Sequence, residues 1–293
     1  MDIVITYVNR EDPLWLEDYE RVVGGRPSGK RFRDWGTLKY LLRGVEAHMP
    51  FVGKIFLVVS RDSQVPSWVN RDRVSVVLHS DIAPQSCLPL FNSSSIEMFL
   101  HRIPGLDERF VYFNDDMFPM ADMSEDDFFV DGKPSCGVRR QLFVFGNSFR
   151  SLCRRDSDFA RKVLGLPRSA FYIRPQHSVD PKLRSECDEL YENCREEILS
   201  GITPLRSGSN LSQYVFVDYM YFKGMICTRR LSSRYISLGV QPLPMVCRSI
   251  LKPSRKLLCI NDAKMSEGRF KRYRKRIVEV FESVFPEKSA CEL

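Results

Sequence analysis

The chain has 293 residues, 43% of them apolar and 28% charged, which suits a folded globular protein and excludes a disordered or low-complexity one. Its 44 basic and 37 acidic side chains leave a formal charge of +7, which favours an anionic partner without naming one. Apolar runs such as KIFLVVS at 54–60 are far shorter than the roughly 20 residues a membrane helix needs, so neither a spanning segment nor a signal peptide is expected.

In chain order, DIVITYV (2–8) reads as a buried strand. After a basic Gly/Pro loop from Gly24 to Arg33, Leu38, Leu41, Leu42 and Val45 recur at helical spacing and predict a helix to about His48. KIFLVVS and VSVVLH (74–79) read as further strands. Ser94 with Glu97 fits a capping box and predicts a helix from Ser94. FVYF then forms a strand that runs into Asn114, Asp115 and Asp116.

Strand, helix, strand, strand, helix, strand implies an α/β fold: a Rossmann-like, mostly parallel sheet with helices on both faces. In such sheets ligands gather beyond the carboxyl ends of the strands, where the Asn-Asp-Asp step stands.

The second half is less regular. Residues 121–175 read as an irregular insertion holding a helix around Phe159 to Leu164, and 176–293 as a helical half that completes the site. Helices are expected from Pro181 to Ser200, over QYVFVDYMYF (213–222) ending at Gly224, and from Glu267 to Phe285 with KRYRKR (271–276) on the outer face. The whole, 1–293, reads as one catalytic unit.

Nine cysteines with no CxxC pair suggest neither a zinc ribbon nor a disulfide scaffold, and they read as free thiols. Cys187 and Cys194, seven apart, fit a packed apolar face. No Walker loop, GxGxxG, GxSxG or HExxH is present, which removes the usual handles of hydride transfer and serine hydrolysis.

Adjacent acids at a strand end serve either as a turn or as hard oxygen ligands for Mg²⁺ or Mn²⁺ against a diphosphate. Arg31 and Arg33 in RFRD precede a helix, where they either face solvent or meet that diphosphate. Arg206, in the Gly/Ser turn PLRSGSN, is a candidate phosphate clamp. Of the four histidines, His48 and His79 end elements and read as structural, and His101 is open. His177, in RPQHSVDP, is either solvated or a general base.

Several blocks together resemble the Stealth family. DIVITYVNREDPLW is similar to its opening block, and a long second block is matched in order by RFRD, QVPSWVN, FNSSSIE, LHRIPGL and YFNDD. A looser third block lies around His177 and Arg206, where His177-Ser178-Val179 stands in place of the family's frequent His-x-Pro. CINDA (259–263) resembles the short fourth block.

The resemblance implies transfer of a sugar-1-phosphate, of the N-acetylhexosamine type, from a nucleotide-sugar such as UDP-GlcNAc to a hydroxyl of a glycan or glycoprotein. A nucleoside monophosphate would leave, and Mg²⁺ or Mn²⁺ would be required. It implies catalytic roles for Glu97, Asp116, His177 and Arg206 and a donor contact from Asn114, to which Arg31 and Arg33, read from RFRD itself, would add donor contacts. Asp115, Asp116, Asn261 and Asp262 would be metal ligands, and no nucleic-acid partner is expected. The compartment would be cytoplasmic for a bacterial-type enzyme and the secretory-pathway lumen for a eukaryotic one. A glycosyltransferase that releases a nucleoside diphosphate, or a non-catalytic glycan-binding paralogue, would carry many of the same residues.

Overall fold

The computed structural model describes residues 1–27, 32–143 and 148–293. Asp180–Leu183, Arg109–Asn114, Asp2–Thr6, Ile55–Val59 and Val74–Leu78 form a five-stranded sheet in that order. Asp2–Thr6 runs parallel to Ile55–Val59, with Ile3 opposite Ile55 and Thr6 opposite Val58. Ile3, Val4, Ile5 and Val58 are wholly buried, so these strands read as continuous apolar runs, as parallel strands covered on both faces do. The α/β class with a mostly parallel sheet is therefore as the sequence pattern implies. Asp180–Leu183 is an edge strand antiparallel to Arg109–Asn114.

By contact density the chain divides into two compact units. One comprises Met1–Asp2, Val77–Tyr112 and Glu125–Leu231; the other comprises Ile3–Val76, Phe113–Ser124 and Ser232–Leu293.

In the second of these, helix Pro13–Val23 starts where Asp12 accepts from the backbone N–H groups of Leu14 (2.9 Å) and Trp15 (3.2 Å). Pro13 occupies its first turn, and Gly24 ends it in the left-handed region at φ 77°. Leu257–Asn261 lies between Ser233–Ser237, to which it is parallel, and Met117–Pro119, to which it is antiparallel. Helix Leu38–His48 packs against Met117–Pro119 so closely that a Cβ on Gly44 would stand 2.6 Å from the Pro119 carbonyl oxygen.

Helix Glu267–Val284 turns Phe270, Tyr273, Ile277, Val280 and Phe281 inward, where Phe281 stacks on Tyr40 (5.4 Å) and meets Phe118 (4.5 Å). Beside this seam the buried Arg43 donates to both Glu292 carboxylate oxygens (2.7 and 2.8 Å) and to the Phe285 carbonyl (2.6 Å). Tyr40 donates to Glu282 at 2.6 Å.

In the other unit, helix Ser148–Val163 packs on Tyr214–Phe222, and strands Val138–Leu142 and Phe171–Pro175 pair antiparallel. The helix predicted around Phe159 thus begins eleven residues earlier, at Ser148. Two other expectations need correction. The turn Ser93–Glu97 is capped by Asn92, which accepts from the Ser94 N–H at 3.2 Å; Ser94 is inside the helix and Glu97 faces elsewhere. The helix expected over 181–200 is a strand to Leu183, a helix Arg184–Asn193 and a second helix Arg195–Ser200, broken at Cys194. Tertiary pairing explains the first break: Pro181 and Lys182 lie opposite Val111 and Phe110, and the antiparallel ladder overrides a helical apolar pattern. All nine cysteines are free. Among the described residues no helix is long and apolar enough to cross a membrane.

Two stability changes are expected. In Gly44→Ala the gain in helix propensity of about 1 kcal/mol meets a backbone clash at Pro119, and overpacking costs about 1–3 kcal/mol; the melting temperature should fall, and an unchanged or higher value would show that the helix can shift. The Tyr40 hydroxyl, then Lys39 and Arg43, hold the Glu282 carboxyl down at about 2 against an ordinary 4.5. A depressed carboxylate stabilises the fold above its unfolded value and loses that contribution as pH falls from about 4.5 towards 2. Tyr40→Phe should therefore make stability less steep in that window, and identical slopes for the two proteins would remove the tyrosine from this role.

Candidate active site

Strand Arg109–Asn114 and strand Met117–Pro119 belong to different sheets, and only Asp115 and Asp116 separate them. Phe110 and Phe113 are wholly buried, so the chain leaves the core and turns within two residues. The register of the second strand, with Cys259 opposite Met117, brings Asn261 and Asp262 to the same end. Here the Ile260 N–H donates to the Asp116 carbonyl at 2.9 Å. Asp115, Asp116, Asn261 and Asp262 line a cleft of about 230 Å³ together with Arg33 and Thr37.

The electrostatics of this cleft are strained towards negative charge. Burial, then Asp116 and Asp34, push the Asp115 carboxyl up to about 8. Burial also lifts Asp116, to about 6, against the opposing pull of the Cys259 thiol and the Asn261 amide. The Cys259 thiol stands 3.7 Å from Asp116 Oδ2, while Oδ1 is buried and meets no donor at hydrogen-bond distance among the described residues. Asp262 Oδ1 accepts from the Ala263 N–H at 2.6 Å.

Arg33 is the cation of the cleft. Its side chain is only 5% exposed, lies over the Phe270 ring at 4.7 Å, and donates through Nη2 to the Met265 carbonyl at 3.3 Å. Glu267 is 3.9 Å away. Its Nε and Nη1 are buried and have no acceptor among the described residues. A guanidinium held rigidly with two unused donors is suited to an oxygen-rich anion.

Phe32, left-handed at φ 64°, packs on Trp15 (5.0 Å) and so turns Arg33 inward. Asp34 accepts from the Gly36 N–H at 2.8 Å, lies 3.8 Å from Arg274, and with burial raises the Tyr7 hydroxyl above its usual range. Asp34 and Tyr7 were not singled out in the sequence, although both lie in the matched blocks; their charge coupling to Asp115 arises only in three dimensions.

The remaining predicted residues are placed as follows. Asn114 is half-buried at the strand end and is not among the residues lining the cleft. Arg31 lies outside the described residues. Glu97, His177 and Arg206 belong to the other unit. Glu97 is buried and accepts from the Tyr112 hydroxyl (3.2 Å) and the Gln213 N–H (3.5 Å). Burial raises its carboxyl, and Arg206 opposes that rise.

Arg206 is exposed and donates to the Ser93 hydroxyl at 2.9 Å, on a loop tied down where Asn92 Nδ2 donates to Asn210 Oδ1 at 2.9 Å. His177 Nδ1 is 3.2 Å from the Tyr214 hydroxyl, and burial lowers the imidazole, which keeps it neutral at neutral pH. His79 and His101 are buried and pushed down to about 4 and 3. His48 pairs with Asp122 at 2.8 Å.

No three His, Cys, Asp or Glu side chains among the described residues converge as a set able to hold a metal ion by themselves. Mg²⁺ needs no such cage: it is usually held by one or two carboxylates, waters and substrate phosphate oxygens. The hard oxygen donors of Asp115, Asp116, Asn261 and Asp262, with a buried Asp116 oxygen left without a donor, fit that mode.

Residues 31–136 match the family model described as Stealth protein CR2, conserved region 2. The capsular polysaccharide phosphotransferase WcwK of Streptococcus pneumoniae is 43% identical over 144 residues, covering 46% of this chain and 43% of that protein. In that match the chain spans less than half the length of its relative. The exopolysaccharide phosphotransferase cps2G of Lactiplantibacillus plantarum is 27% identical, covering 100% of this chain and 96% of that protein. Among solved structures, a galactosyltransferase LgtC in complex with donor and acceptor sugar analogues superposes at a TM-score of 0.44 and 12% identity, covering 97% of this chain and 96% of that one. This likeness is too remote for anything of its site to be carried over. Residues 31–136 therefore resemble conserved region 2 of the Stealth family, and a more distant similarity to the exopolysaccharide phosphotransferase extends along the chain.

Proposed function

We propose that the chain is a metal-dependent phosphotransferase that moves a sugar-1-phosphate, of the N-acetylhexosamine type, from a nucleotide-sugar such as UDP-GlcNAc to a hydroxyl of a glycan or glycoprotein. The observation that carries this reading is the pairing, in one cleft, of two adjacent carboxylates with a buried arginine that has two unused N–H donors. Acids alone would suit a cation and an arginine alone an anion. Together they suit a diphosphate with its counter-ion.

The names of the relatives, capsular and exopolysaccharide phosphotransferases, support the same class of transfer. Asp115, Asp116, Asn261 and Asp262 would hold Mg²⁺ or Mn²⁺, which when bound neutralises the diphosphate and the charge that develops on its oxygens. Arg33 would orient the sugar-bearing phosphate through its fork. The acceptor oxygen attacks that phosphorus in line, the bond to the nucleoside monophosphate breaks, and the acceptor proton passes to a base. The family motifs further assign Glu97, His177 and Arg206 to the reaction, an assignment that stands on sequence.

The test is a set of nucleotide-sugars with Mg²⁺, scored for the nucleotide released. Monophosphate is expected, and stoichiometric diphosphate would replace this reading with glycosyl transfer. Asp116→Asn should lower turnover by at least about a hundredfold while the fold survives, and near-normal turnover would remove Asp116 from the metal role.

A readout independent of turnover is thermal stability. Asp115 and Asp116 hold their protons more tightly folded than unfolded, so their contribution to stability falls as pH rises from about 4 to about 8. A cation that binds the charged forms stabilises by mass action. Mg²⁺ or Mn²⁺ should therefore raise the melting temperature more at pH 8 than at pH 5, and not in Asp116→Asn. An equal rise in the variant would place the cation elsewhere.

A further inference from the structure

A second concavity of about 830 Å³ lies in the same unit as the acidic cleft and shares Arg33 with it. Its character is opposite. Five cationic residues line it, Arg10, Arg33, Lys271, Arg274 and Lys275, against three carboxylates. Lys271, Arg274, Lys275 and Val278 recur at helical spacing, so they form one face of helix Glu267–Val284. Arg272 and Arg276 of the same basic run are not among the lining residues, and Arg276 pairs with Glu279 at 3.1 Å. The basic run is thus divided between a groove-lining row and a separate solvated row.

The charge count within the groove does not close. Glu11 is paired with Arg10 at 2.9 Å, Asp34 lies 3.8 Å from Arg274, and Glu267 lies 3.9 Å from Arg33. Lys271 and Lys275 make no ion pair among the described residues. The two ammonium groups of Lys271 and Lys275 are left for an anion. Because Arg33 borders both concavities, an anion in the groove would adjoin whatever occupies the cleft.

We infer that this groove binds the phosphodiester of an anionic glycan, the class of molecule to which the acceptor belongs once a first transfer has been made. The inference rests on the phosphotransfer reading: joining a sugar-1-phosphate to a hydroxyl creates a phosphodiester, which keeps one negative charge at neutral pH. A glycan that has already received such a unit then presents a fixed anion near its growing end. Lysine is a suitable partner, because a flexible ammonium accepts a singly charged phosphodiester without a fixed bidentate geometry. The effect is to favour acceptors that already carry a phosphodiester over neutral ones.

The test is binding, measured by fluorescence anisotropy, of a labelled phosphomannan oligosaccharide and of the same oligosaccharide after its phosphates have been removed. It uses the full chain and the double variant Lys271→Ser, Lys275→Ser. Wild type should bind the phosphorylated probe roughly tenfold or more tightly, as expected for two charge-assisted contacts. The variant should lose that preference while its melting temperature and its Mg²⁺-dependent affinity for uridine monophosphate stay as in wild type.

Equal binding of the two probes by wild type, or an undiminished preference in the variant, would overturn the inference. Loss of binding to phosphatidylglycerol vesicles in the variant with its glycan preference intact would also overturn it, in favour of a membrane surface. The two readings fail separately: selective glycan binding with diphosphate release counts against the reaction alone, and monophosphate release without selective binding counts against the groove alone.

Discussion

A two-residue turn between strands of two different sheets is the constraint on which the acidic cleft depends. Asn114 ends one strand and Met117 begins the next, which leaves Asp115 and Asp116 no room to separate. With Asp34 and Asp262 nearby, like charges act on one another where solvent is scarce, and repulsion in such a setting amounts to several kcal/mol. Burial first, and then neighbouring carboxylates, lift Asp115 to about 8 and Asp116 to about 6. A divalent cation would relieve the repulsion by making the charged forms the favoured ones. The same turn therefore places the two perturbed acids side by side in the lining of the cleft.

The surrounding scaffold is built so that this turn cannot relax. The Ile260 N–H fastens the Asp116 carbonyl, and Gly44 allows helix Leu38–His48 to lie directly on the strand that follows. Behind that helix, Tyr40, Phe281 and Phe118 form a continuous aromatic contact. The buried Arg43 is satisfied by two Glu292 oxygens and the Phe285 carbonyl. A buried charge is tolerated only when its hydrogen bonds are met, and Arg43 meets that condition where Arg33 does not. The two arginines thus differ in how fully their donors are used.

The other unit handles buried acids by another route. Burial raises Asp156 to about 7, and it accepts from the Ser212 hydroxyl at 2.6 Å and the Ser212 N–H at 3.0 Å. Asp218 accepts from the Ser157 hydroxyl at 2.5 Å, and Asp180 is neutralised by Lys182 at 2.5 Å. These carboxylates each have a serine or lysine partner, while Asp218 Oδ1 has no donor among the described residues. Glu97 differs in that Arg206, which acts on it electrostatically, lies on an exposed loop anchored by the Asn92–Asn210 contact.

Much of the fold was legible in the sequence, because the strands DIVITYV, KIFLVVS and FVYF are continuous apolar runs and helices 38–48 and 267–284 bury a clear stripe. Local patterns fail where a distant partner competes. Pro181 to Leu183 carry helical spacing yet pair as a strand, and Ser94 has the residues of a cap yet yields that role to Asn92. The acids of the cleft were visible as motifs, since charged residues directly after a buried strand need a reason to be there. What sequence alone determined is the set of chemical groups available: carboxylates, a histidine and arginines in recognisable blocks. Only the tertiary structure decided which of them share a dielectric environment. Burial and Coulomb coupling depend on distances through space, so Asp34 and Tyr7 joined Asp115, Arg33 kept two N–H groups without an acceptor, and half of the basic run came to line a groove.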